Sequence, residues 1–163
     1  MAVSRDIVES YRAPRRVLAR QLAAGVGEER ALAYVMIACI LFYVALLPSL
    51  ARAAFENPQN GDFTNLAANA FIGAVLIAPL LFYGLAALGH LAALLLGGRG
   101  SWFSARLALF WALLAISPLM LLRGLVLGFI GQGTELTAVN ILVGVLFLLI
   151  WVNGMRAAEF ASD

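Results

Sequence analysis

Apolar positions in this chain come in long uninterrupted blocks, not in the half-buried alternation of a soluble helix or strand. From Ala31 to Ala51 there are 21 residues without a formal charge, closed off by Glu28, Glu29 and Arg30 before and Arg52 after. A hydrocarbon layer about 30 Å thick takes roughly 20 helical residues, so this block crosses once. Phe63 to Gly98 holds 36 positions without Asp, Glu, Lys or Arg; two crossings and a turn need more, so it reads as one long span with tilt or overhang, which Pro79 and Gly84 allow to bend. Between Arg106 and Arg123 lie 16 uncharged residues, about 24 Å of helix, and both arginines can snorkel outward to complete the crossing. Pro118 bends that helix, which continues toward Ile130. Leu136 to Met155 supplies a last span of 20 residues. The connections FENPQNGDFT (55–64), GGRGS (97–101) and GQGTE (131–135) carry the residues that favour turns.

The pattern therefore predicts an all-α, polytopic transmembrane helix bundle of four spans, about 31–53, 65–97, 102–130 and 136–155. A break at Pro118 gives a five-span alternative, in which one segment of about 13 residues is short for a crossing. Residues 28–157 form the membrane domain and 158–163 a short tail.

Residues 1–27 have a different pattern. Ile7, Tyr11, Pro14, Leu18 and Leu22 share one helical face while Arg12, Arg16 and Arg20 recur every fourth residue on another. This predicts an amphipathic helix in the headgroup layer, split in two by Pro14, with Arg12, Arg15, Arg16 and Arg20 at the membrane surface. A solvated tail is the alternative. A cleavable signal is not expected, since charges recur up to Arg20 and no apolar core follows before the glycines.

Composition agrees with the blocks: 63% of residues are hydrophobic and 12% charged, with a mean hydropathy of +0.94, far from a soluble domain. All eleven basic residues are arginine against nine acids, which gives no basic stripe for nucleic acid. Nine arginines fall on the side of the termini and the GGRGS turn and two, Arg52 and Arg123, on the other. By the positive-inside rule the termini are cytoplasmic, in a bacterial inner membrane. The lone Cys39 excludes an internal disulfide and reads as a packing residue.

Candidate chemistry is sparse. His90 is the one histidine and lies within a span, where an ionisable residue is a functional candidate; the competing reading is a structural or interfacial side chain. GGRGS, with Arg99, resembles a phosphate cradle only loosely, since no GK[ST] follows. Its glycines read instead as the end of one helix and Ser101 as the cap of the next, with Trp102 and Arg106 anchoring it. Gly124 and Gly128 form a GxxxG contact face, and Pro118 with Arg123 marks either a bent, anchored span or a polar pocket. No catalytic set, cofactor site or metal cluster is expected.

YRAPRRVLAR (11–20), LPSLAR (47–52) and especially GGRGSWFSARLALFWALLAISPLMLL (97–122) resemble the Yip1-domain family, with 28–157 as the Yip1-like membrane domain. Members are small multispanning proteins with a cytoplasmic N-terminal region, typically of five spans where four are read here. Eukaryotic relatives act in vesicle trafficking and bind Rab GTPases, a partner not carried over to a bacterial chain. The expected function is non-enzymatic: organising the lipid bilayer, or binding other membrane proteins or itself. The alternative is a small channel or transporter with a polar site near His90 and Arg123.

Overall fold

The computed structural model describes residues 3–160. Every regular element is helical: α1 (Val3–Ser10), α2 (Pro14–Ala23), α3 (Glu28–Glu56), α4 (Phe63–Phe71), α5 (Ala78–Leu95), α6 (Trp102–Leu125) and α7 (Thr134–Glu159). A π-helical turn over Ile72–Ile77 joins α4 to α5, and another over Val126–Ile130 extends α6. Four helices are long and apolar enough to cross a membrane: Glu28–Glu56, Phe63–Leu95, Trp102–Ile130 and Thr134–Glu159. Three of them run past the charge-free blocks, because helical hydrogen bonding carries on through flanking residues such as Glu28–Arg30 and Arg156–Glu159. The second stops at Leu95, two residues early, because Gly97 takes a φ of +87°.

Proline placement explains the irregular turns. Pro79 lacks the N–H that Val75 would receive, and the wide turn just before it, closed by Ala78 N–H to the Gly73 carbonyl, relieves the ring's crowding. Pro118 does not end its helix, which stays continuous from Trp102. The Leu114 carbonyl that Pro118 cannot serve accepts a 2.8 Å bond from Ser117 Oγ instead. The described residues accordingly hold four helices of spanning length, with no break at Pro118.

The centre of the bundle is α6. From Ser104 to Ser117 every residue except Arg106 is buried. Its alanines at 105, 108, 112 and 115 let neighbours approach, while Leu107, Phe110, Trp111 and Leu114 fill the space between. Helix α3 lays Ala31, Val35, Ala38, Cys39 and Ala45 inward, and Cys39 is a wholly buried packing residue. The closest crossing is at the far end of α6. A Cβ on Gly124 would run into the Ala45 carbonyl, and one on Gly128 into Pro48, so the GxxxG face is filled by this chain's own α3. Outward faces of α5 and α7 expose Leu80, Leu81, Leu88, Ile141, Leu148 and Leu149, as a lipid-facing surface requires.

The N-terminal region forms two helices, with Pro14 as the first residue of α2, but they do not merely rest on the headgroups. The hairpin turns into the bundle: Ser10, Val17, Leu18 and Gln21 are buried, and Leu18 packs over Gly154. Arg20 is drawn away from the surface into ion pairs with Asp6 (2.7 Å) and Glu9 (3.0 Å), while Arg12, Arg15 and Arg16 stay exposed.

Candidate functional site

The end of the bundle that carries the termini gathers most of the polar chemistry. Helix α5 closes with two bonds, Gly98 N–H to the Ala93 carbonyl (2.9 Å) and Gly97 N–H to the Leu94 carbonyl (3.0 Å). This is the Schellman arrangement, which needs the positive φ that Gly97 supplies. Three residues on, Ser101 caps α6: its Oγ accepts from Ser104 N–H (3.1 Å), and Ser104 Oγ accepts from Ser101 N–H (2.9 Å). Between these two termini the backbone N–H groups of Arg99 and Gly100 point at the end of α7.

They meet Glu159. Arg99 N–H donates to its carbonyl (2.8 Å) and Gly100 N–H to its carboxylate Oε2 (3.0 Å), while Oε1 lies 2.6 Å from His90 Nδ1. Both side chains are at most 3% exposed, and the His90 ring lies against Trp102 at 4.5 Å between centroids. A Cβ at Gly100 would collide with the Ala158 carbonyl and the Glu159 carboxylate, and one at Gly98 with the Ala93 carbonyl. The glycine turn is thus an anion cradle, and the anion is the protein's own carboxylate. This clamp ties α5, α6 and α7 at one end.

A second polar group lies deeper. Tyr11 Oη donates a 2.6 Å bond to the Ala115 carbonyl, and Trp111 Nε1 donates to Ser10 Oγ (2.9 Å), which in turn donates to the Asp6 carbonyl (2.8 Å). Ala115 is 13 residues into α6, about 20 Å along its axis, so the α1–α2 turn engages the span near its middle. Burial pushes the Tyr11 phenol up from its ordinary value. At the hairpin's surface the hydrogen bond from Arg20 holds the Glu9 carboxyl below the usual carboxylate value and raises Arg20 in return.

The other candidates scatter. Arg106 pairs with Glu28 and lies over the Tyr83 ring at 5.8 Å. The Arg99 side chain is exposed and so is Pro118. Arg123 donates to Asn140 Oδ1 at 2.6 Å, and it is 21 residues beyond Trp102, about 31 Å along the helix. His90 and Arg123 therefore stand at opposite ends of the bundle and do not line a common pocket. Among the described residues no group of three His, Cys, Asp or Glu side chains is placed to hold a metal ion. Glu159 and Tyr11 are the residues sequence reasoning did not single out for this site. A signal for Glu159 was present: a buried histidine needs a polar partner, and an acid followed the last span on the same side.

The model of the Yip1 domain matches residues 8–162, nearly the whole chain. The chain belongs to the Yip1 domain family. The match begins at Val8 in α1 and takes in the α1–α2 turn, α2, the four spans of this Yip1 protein and the Glu159 clamp. Comparison with curated proteins and with solved structures found no match. Family membership and four membrane-crossing helices make this an integral, multi-pass membrane protein.

Proposed function

We propose that this Yip1 protein is a non-enzymatic organiser of the bacterial cytoplasmic membrane, with both termini in the cytoplasm, acting as a wedge in the cytoplasmic leaflet. The observation that carries this reading is the α1–α2 hairpin. It adds two helices to a four-span bundle at one end only, and Tyr11 and Ser10 hold its turn at the level of Ala115 and Trp111. The opposite end closes with connections no longer than the segments between Glu56 and Phe63 and between Ile130 and Thr134, so the cross-section is larger on the side of the termini. A body of that shape favours bilayers in which the wider end occupies the convex leaflet. The arginine asymmetry supports the orientation.

The experiment draws narrow tubes from giant vesicles holding the labelled full-length protein in known orientation. Protein with its termini on the outer, convex leaflet is expected to enrich several-fold on the tube, and protein in the reverse orientation to be depleted. Tyr11→Phe combined with Trp111→Phe, which removes both bonds seating the hairpin turn, should weaken the enrichment. Equal density on tube and vesicle in both orientations refutes the proposal.

A further inference from the structure

Between α5 and α7, beside the clamp, lies a cleft of about 640 Å³, within the range of small-molecule sites. Its walls are Gly89, Ala92, Ala93 and Leu96 on one helix and Trp151, Val152 and Met155 on the other, with Phe160 at the end. It exists because α5 presents glycine and alanine where α7 presents large residues: the Trp151 ring already stands 3.2 Å from where a Cβ on Gly89 would be. Two charged residues complete the lining, Arg15 from α2 and Arg156 from α7. Among the described residues neither is paired with a carboxylate, and no acid lines the cleft.

We infer that this cleft is a binding site for an anionic phospholipid of the leaflet on the side of the termini, its phosphate held between Arg15 and Arg156 and an acyl chain lying along the cleft. Three observations fix the chemistry of the occupant. The cleft is flanked by side chains that face the bilayer, Leu88, Leu91 and Leu95 on α5 and Leu148 and Leu149 on α7, so its occupant enters from the lipid. Apart from the two arginines the lining residues are apolar, which suits a hydrocarbon chain and leaves a water-soluble anion little to contact. The two arginines line the cleft from different helices, and guanidinium binds phosphate through paired N–H donors. A zwitterionic headgroup fits worse, since its amine finds no carboxylate in the lining and both charged lining residues are arginines. The site does not depend on the wedge reading, because it needs only the α2–α5–α7 arrangement.

The test uses full-length protein, delipidated in mild detergent and titrated with phosphatidylglycerol or phosphatidylcholine under native mass spectrometry. One saturable phosphatidylglycerol is expected, bound at least about tenfold more tightly than phosphatidylcholine. Arg15→Gln with Arg156→Gln should weaken phosphatidylglycerol about tenfold or more and erase the preference, as loss of two charge-assisted contacts requires. Ala92→Phe fills the cleft from an exposed position, so the fold is kept; it should weaken both lipids while the arginines stay in place. Unchanged binding by both variants overturns the proposal, as does equal affinity for the two lipids. So does displacement of the lipid by millimolar inorganic phosphate, which would mark a free-anion site, or a cross-link from position 92 to a second copy, which would mark a protein interface.

Discussion

Replacing Glu159 gives the most direct test of the clamp. Its carboxylate receives Gly100 N–H at 3.0 Å and lies 2.6 Å from His90 Nδ1, with both side chains out of solvent. Glu159→Ala leaves a buried imidazole nitrogen and the half-buried Gly100 N–H without partners. Each polar group left unpaired costs about 1–3 kcal/mol, so the loss should be about 2–4 kcal/mol. Glu159→Gln is expected to cost about 1 kcal/mol, because the amide oxygen can still accept from Gly100 and its NH2 can donate to Nδ1 of a neutral imidazole. Reversible unfolding in mixed micelles measures both, followed by tryptophan fluorescence, since Trp102 packs on the His90 ring. A double-mutant cycle with His90→Ala should return a coupling of about 2 kcal/mol between the two side chains. An alanine variant within about 0.5 kcal/mol of the parent, or a coupling near zero, would refute the reasoning.

Gly124→Ala and Gly128→Ala should each destabilise the bundle by about 1–3 kcal/mol, since the added carbon meets α3 at Ala45 or Pro48; Gly144→Ala, with open space around it, is the control and should cost nothing in the same unfolding assay. Acid should loosen the hairpin. The Glu9 carboxyl is held below its ordinary 4.5 by Arg20, so its contribution is complete above that value and is lost as pH falls through the lowered one. Protection factors of the α1 amides, exchange rates corrected for their intrinsic pH dependence, should therefore fall as pH drops below 4.5 in the parent, and be lower than the parent's already at neutral pH in Glu9→Gln, where Asp6 still holds Arg20.

The spans were legible because hydrocarbon imposes its requirement residue by residue. An interval such as Ala31 to Ala51 admits hardly any other reading, and Ser101 and Gly97 carry capping and turn chemistry that depends on local sequence alone. The hairpin's destination was not legible in this way. The face formed by Ile7, Tyr11, Leu18 and Leu22 suits a lipid surface and a protein groove equally, because both are apolar. Only the position of Trp111 and Ala115 decides between them. Glu159 was hidden for a related reason: counted along the chain it belongs to a polar tail, yet one further helical turn carries it beneath the glycine loop. Arg20 reads as a surface charge by its spacing, but Asp6 and Glu9 claim it once α1 folds back.

The hairpin's seat also sets an order of assembly. Ser10 bonds to Trp111 and Tyr11 to Ala115, and Leu18 rests on Gly154, so the groove that receives the first helices is finished only when the last span is in the bilayer. The hairpin, made before the four spans, is therefore the last of these elements to find its place, and it waits while some 130 residues are made and inserted. Any factor that holds residues 1–27 during that interval acts as a timer on folding. A chain cut short before α7 would keep an unsatisfied apolar helix on display, a ready mark for quality control.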